Sequence, residues 1–135
     1  MDLDKLKARV NARGGYMRLN GLEVTELAPG YCEARAPMSK EKMNPHGMAH
    51  GGYLFTLCDT AAGVAATTLG RKVVGRTASI HFLRPGSGTY FTAKSRVIQS
   101  GRHMALGRVD VFDDQEELIA TADVEMFYLE GDPLS

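Results

Sequence analysis

The stretch Asn44-Pro45-His46-Gly47-Met48-Ala49-His50-Gly51-Gly52-Tyr53-Leu54-Phe55-Thr56-Leu57-Cys58-Asp59-Thr60-Ala61 decides how the chain is read. Its opening belongs to a loop over residues 39–49 that is rich in turn formers, including Asn44-Pro45 and Gly47. From His50 the sequence predicts a helix running to Leu69, closed by Gly70 at the C′ position with Arg71 and Lys72 just beyond. Leu54, Phe55, Leu57, Cys58, Ala61, Ala62, Val64 and Ala65 leave it almost no polar face, so it is expected to be buried all round. Its small residues, Ala61 to Gly63 and Ala65 to Ala66, let a sheet approach the helix backbone closely.

Outward from the helix the pattern changes. Leu3, Leu6 and Val10 give residues 3–13 a weak helical period, closed by Gly14-Gly15. Extended segments are expected at 17–27 and 31–37, joined by a hairpin turn at Ala28-Pro29-Gly30. After the helix everything alternates with period two. In 73–84, Val74, Ala78, Ile80 and Phe82 are expected to share one face, opposite Thr77, Ser79 and His81. In 117–129 the shared face is Leu118, Ala120, Ala122, Val124, Met126 and Tyr128. Two more strands, 89–99 and 103–112, lie between. The order β-β-α-β-β-β-β is an α+β arrangement, a central helix wrapped by one largely antiparallel sheet.

The 135 residues suit one domain, 1–135, with an N-terminal extension over 1–15 and a core over 17–129. Sixteen Lys+Arg balance sixteen Asp+Glu, and basic residues such as Arg13, Arg35, Arg84, Arg96 and Arg108 are dispersed. No stripe suggests nucleic acid or an anionic membrane. The apolar run Tyr53 to Ala66 contains Asp59 and is too short to span a bilayer. The start, Met1-Asp2-Leu3-Asp4-Lys5, lacks the apolar core of a signal peptide, and Cys32 and Cys58 have no metal or redox spacing. A cytoplasmic protein with reduced, packed thiols is therefore expected. His46 and His50 have neither helical geometry nor further ligands for a metal, and Gly70-Arg71-Lys72 lacks the upstream glycine of a phosphate loop.

Three features carry chemistry. Asp59 is a lone charge in an apolar helix, and a buried carboxylate must be paired, hydrated or functional. The plainer alternative is a helix residue that reaches solvent at a sheet edge. His50-Gly51-Gly52 places two glycines at a helix start, where they lower helix stability but let a substrate approach free N–H groups. A main-chain oxyanion hole can be built this way. A tight turn that needs positive φ would use glycines too. Asn44, six residues before His50, lies in the loop that delivers the chain to the helix, where an Asn before Pro is ordinarily a turn residue.

Gly51 and Asp59 are eight residues apart, ~12 Å of helical rise. Both would have to come within ~3 Å of one reacting carbonyl, or one water further, which a single chain can hardly arrange. If both are catalytic, a second copy supplies one of them across a two-fold interface.

The run from Asn44 through His50-Gly51-Gly52 to Asp59 resembles the hotdog-fold acyl-CoA thioesterases of the PaaI-like, phenylacetic-acid-degradation subfamily. Phe82-Leu83-Arg84-Pro85-Gly86 matches the strand-end pattern of the same family, and the element order agrees over 17–129. The resemblance implies a hotdog fold whose dimers pair through their sheets and often form tetramers. It also implies hydrolysis of acyl-CoA thioesters with no metal or cofactor, coenzyme A being part of the substrate and product. Asp59 would be general base or nucleophile, the Gly51 amide would polarise the thioester carbonyl, and Asn44 would hold the attacking water or that carbonyl. His50 would shape the loop. A thiol of pKa about 8.5 leaves readily, so one carboxylate, one oxyanion donor and a positioned water can suffice.

Some relatives place a Ser or Thr on the strand after the helix to hold the water. Here Gly75 occupies the corresponding position, with Thr77 and Ser79 nearby. Further candidate substrate contacts are Gly52 and Thr60 on the helix, and Arg84 and Arg102 beside turns as partners for CoA phosphates. Related MaoC-type hydratases carry a His five residues after the Asp. Val64 stands there instead, which disfavours a dehydratase. The alternative from another class is a non-catalytic acyl-CoA-binding or regulatory hotdog protein.

Overall fold

The computed structural model describes all 135 residues, and its elements follow from local signals. Helix α1, Leu3–Ala12, starts where the Asp2 carboxylate accepts from the Lys5 N–H at 3.0 Å. The expected strand from residue 17 is instead a short helix, α2, Tyr16–Leu19, and strand β1 begins only at Glu23 and runs to Ala28. Gly15 (φ 88°) and Gly21 (φ 66°) bracket this turn, and the Leu22 N–H closes it on the Met17 carbonyl at 2.9 Å. Those backbone groups are satisfied locally and have no need of a sheet partner.

Strand β2 is Tyr31–Pro37, and helix α3 is Gly51–Thr67. Strands β3, Lys72–Phe82, β4, Tyr90–Ser100, β5, Met104–Phe112, and β6, Leu118–Leu129, complete the chain. The six strands form one antiparallel sheet in the order β1-β2-β4-β5-β6-β3. Chain order breaks at β3, which crosses to the far edge and pairs with β6. Inward-facing Ala34, Phe91, Ala93, Val109 and Val124 meet Leu57, Ala61, Ala62 and Ala65 of α3 in one buried cluster. A Cβ at Gly107 would lie 3.5 Å from the Ala62 Cβ, so helix and sheet approach closely because both faces are small. Each large apolar side chain fully buried there contributes about 1.5–3 kcal/mol.

Two expectations fail here for topological reasons. The helix is not buried all round: Phe55 is 38% exposed, Gly52 and Asp59 are exposed, and Gly63 and Thr67 are half-buried. These residues recur every three or four positions and form one open stripe, because a single sheet with two free edges cannot enclose the helix. On β3, a bulge at Arg76 shifts the phase between Gly75 and Thr77. Val74 therefore faces outward opposite Phe127, while Gly75, Ala78, Ile80 and Phe82 pair with buried Met126, Val124, Ala122 and Ala120. A second register shift leaves Leu118 opposite Phe112 and buries Ile119 together with Ala120. On this edge strand every residue of β3 from Val74 to Ser79 is exposed. No helix is long and apolar enough to cross a membrane.

Ser95, inward on β4 between Cys32 and Val109, is fully buried and its hydroxyl has no hydrogen-bond partner. An unsatisfied buried hydroxyl costs about 1–3 kcal/mol. Ser95→Ala is expected to raise the unfolding free energy by about 1 kcal/mol in urea titration. A loss of stability would mean that the hydroxyl is satisfied by a buried water.

Candidate active site

The loop that delivers the chain to α3 is held at both ends. Met43 and Ala49 form an isolated bridge, and the Ala49 N–H donates to the Gly86 carbonyl at 2.7 Å. A Cβ at Gly86 would lie 2.9 Å from the Ala49 Cβ, so only glycine permits this close approach. Asn44 is indeed a turn residue: its Oδ1 accepts from the N–H of His46 at 2.9 Å and of Met48 at 3.2 Å. That arrangement leaves its Nδ2 donors free of partners within the chain.

His50 is the N-cap of α3. Its Nδ1 accepts from the Gly52 N–H at 2.8 Å, which requires Nδ1 to be unprotonated. The His50 carbonyl takes the N–H groups of Tyr53 and Leu54. With these three amides satisfied, the Gly51 N–H donates to no acceptor in the chain. Gly51 and Gly52 do not have positive φ, so neither glycine serves a tight turn. The reason for Gly51 is space: a Cβ there would stand 3.0 Å from the Cζ of Phe82. Asn44, Met48, Gly51, Phe82 and Arg84 line a cleft of about 410 Å³ at this helix start. Arg84 is tied to Glu117, Nη1 to Oε2 at 3.1 Å.

Asp59 lies two turns further on and lines a different cleft, about 320 Å³, with Phe55, Val74, Gly75, Arg76 and Thr77. The residue is exposed at the helix edge, yet its carboxylate rests against bare backbone, with Oδ1 3.2 Å from where a Gly75 Cβ would stand. It has no hydrogen bond and no ion pair, and partial desolvation raises its pKa above the usual carboxylate range. Arg76 does not compensate it. That guanidinium donates to Glu125 Oε2 at 3.0 Å, and the Thr77 hydroxyl donates to the same oxygen at 2.7 Å.

Within one chain, then, the site residues predicted from sequence fall into two groups. Asn44, Gly51 and Arg84 share the first cleft, and Asp59 and Thr77 the second. The Thr77 hydroxyl and Ser79 belong to the outward row of β3, opposite Glu125 and Asp123. Gly52 spends its N–H on the His50 cap, and Thr60, half-buried, lines neither cleft. Arg102, in the β4–β5 turn, lines neither cleft and accepts through its carbonyl from Arg71. Sequence reasoning missed the contact of Phe82 with Gly51; the period-two pattern put Phe82 on an apolar face without saying what it covers. Cys32 and Cys58 are free and buried, and burial pushes each thiol up to about 12. No three His, Cys, Asp or Glu side chains converge to hold a metal ion.

The sequence pattern of the thioesterase superfamily matches residues 46–120. The chain is similar to acyl-coenzyme A thioesterase PaaI of Escherichia coli, 29% identical over 101 residues that cover 74% of this chain and 72% of that protein. The solved structure of E. coli PaaI superposes with a TM-score of 0.89 over 96% of both chains at 23% identity, which shows the hotdog fold. A hypothetical thioesterase protein from Streptococcus pneumoniae, solved with coenzyme A, gives a TM-score of 0.76 at 29% identity, covering 80% of this chain and 85% of that one.

A raised Asp59 pKa means that the folded protein binds this proton more tightly than the unfolded chain. Stability is therefore lost as pH rises from the ordinary Asp value, about 3.9, through the folded value. Asp59→Asn is expected to be at least as stable as the parent at pH 7, with the difference shrinking as pH falls below about 4. Urea unfolding at the two pH values checks this, and a variant less stable at pH 7 would show that the carboxylate is favourably paired.

Proposed function

The chain belongs to the thioesterase superfamily, and we propose that it hydrolyses acyl-CoA thioesters to free acid and coenzyme A at a site shared between two copies. The observation that carries this reading is a pair of unpartnered groups on one helix. The Gly51 N–H and the Asp59 carboxylate have no partner in the chain and open into separate clefts. Each is half of a site. The exposed edge strand β3 beside Asp59 offers an edge along which a second copy can pair.

In this reading the thioester oxygen accepts from the Gly51 N–H of one copy, and the free Nδ2 of Asn44 positions the attacking water or that same carbonyl. Asp59 of the other copy takes a proton from the water, whose oxygen adds to the carbonyl carbon. The tetrahedral oxyanion is held by the Gly51 amide. As it collapses the C–S bond breaks, the sulfur departs with the bonding pair, and the proton on Asp59 passes to it. The raised pKa of Asp59 suits a general base better than an indifferent surface carboxylate. His50 acts on the helix start rather than on substrate, since its Nδ1 is engaged by Gly52.

Free-thiol release from phenylacetyl, hydroxylated aromatic, and short, medium and long aliphatic acyl-CoAs tests the reaction and names the acyl class. Asp59→Asn is expected to lower kcat by about 10²–10⁴ while acyl-CoA binding persists. For the parent protein, kcat/KM is expected to fall on the acid side around a single ionisation above the ordinary Asp value. That follows because the base must be ionised and its pKa is raised. Near-full activity in Asp59→Asn would remove this residue from the chemistry. Saturable acyl-CoA binding without thiol release would instead make the chain a binding protein.

A further inference from the structure

The sheet ends in two edge strands, β1 and β3, and the two edges are built differently. Strand β3 has eleven residues, and those from Val74 to Ser79 are all exposed. Strand β1 has six, and a register shift between Val24 and Glu26 interrupts its pairing with β2. At Val24, fully buried, both backbone groups are taken by a single side chain of α1. Asn11 Nδ2 donates to the Val24 carbonyl at 2.9 Å, and Asn11 Oδ1 accepts from the Val24 N–H at 2.8 Å. One side-chain amide thus does for β1 what a residue of a neighbouring strand would do. Leu6, fully buried, and Val10, packed against the core, seat α1 beside β1 and so hold Asn11 in place.

The charges on the two edges show what this clasp keeps out. Glu23 and Glu26 are exposed on β1, so pairing of β1 with its own copy sets carboxylates against carboxylates. Strand β3 carries Lys72 and Arg76 and no carboxylate, so an open β1 is drawn to β3 of another copy. That contact is head-to-tail: each copy keeps one free edge, and the row need not close. It also leaves the shared site incomplete. Gly51 lies against Phe82 and Asp59 against Gly75, so both half-sites flank β3. A copy that pairs through its β1 brings neither half to the seam.

We infer that Asn11 plugs the β1 edge and confines pairing between copies to β3, giving a closed assembly with complete sites. Its effect on activity rests on the shared-site reading above, whereas its effect on assembly is independent of that reading.

Asn11→Ala removes both bonds, favours the helix and adds no apolar surface that could itself cause association. Light scattering over about a hundredfold range of concentration is expected to show the parent mass levelling off. Asn11→Ala is expected to exceed that plateau more than about twofold, reversibly on dilution, and to lose thiol release per chain in step. Val109→Ala, a cavity in the middle of the sheet, lowers stability with the edge intact and is expected to keep the parent plateau. Equal growth in Val109→Ala, or a folded Asn11→Ala that keeps the parent plateau, would overturn the plug. Growth of Asn11→Ala without loss of thiol release would uphold the plug and overturn the β1–β3 contact. If the parent releases no thiol from any acyl-CoA, hydrolysis falls and the masses alone decide. Should Asn11→Ala not fold, hydrogen exchange of the parent decides instead. Its Val24 amide is expected to exchange slowly, at a rate independent of protein concentration. Fast exchange, or a rate that falls as concentration rises, would overturn the plug.

Discussion

An α-helix is a rigid ruler, and α3 fixes its free amide at Gly51 and its unpaired carboxylate at Asp59 ~12 Å apart along the axis. No side-chain rotamer shortens that separation enough for one small reacting group to touch both. The constraint explains why the two residues open into different clefts of the same chain. It also explains why the proposed chemistry needs two copies. The helix start is prepared for the task by one bond: the His50 ring satisfies Gly52, so the unpartnered amide at this position is that of Gly51.

The rest of the fold holds this ruler still and leaves one side of it open. Alanines on α3, with alanines and Gly107 on the facing strands, let the sheet close tightly on the helix. The crossover that sends β3 to the sheet edge leaves the stripe from Gly52 to Thr67 uncovered. Gly75 then brings bare backbone against Asp59, and partial desolvation there raises the affinity of the carboxylate for a proton. A side chain at either glycine would intervene: at Gly51 it would meet the Phe82 ring, and at Gly75 the carboxylate itself.

Much of this was legible in the residues. Period-two alternation and the Gly-rich turns located five of the six strands closely, and the apolar run with its terminal Gly70 located α3. Asp59 and the Gly51-Gly52 pair stood out because each breaks a local rule, a charge in an apolar helix and glycines where helix formers belong. The misses were non-local. Residues 17–22 carry strand-like composition, but Gly15 and Gly21 turn them into a self-satisfied helical turn. The bulge at Arg76 is defined only against β6, so the phase reversal at Val74 could not be read from one strand. The open helix stripe depends on which strand ends at the edge.

Subunit complementation tests the shared site most directly. Asp59→Asn removes the base, and Gly51→Pro removes one N–H at the first helical position, where proline's fixed φ and missing donor are tolerated. His50 already has the extended conformation that a following proline demands, φ −64° and ψ 139°, and the added Cβ meets only the tip of the Phe82 ring, 3.0 Å away. Each variant alone is expected to be nearly inactive. Unfolded together and refolded at equal concentration, they form mixed pairs in which one site regains both intact groups. A site shared across the two-fold axis gives back about a quarter of the parent activity per chain. Activity that stays at the level of the separate variants, with mixed pairs demonstrably present, would contradict it.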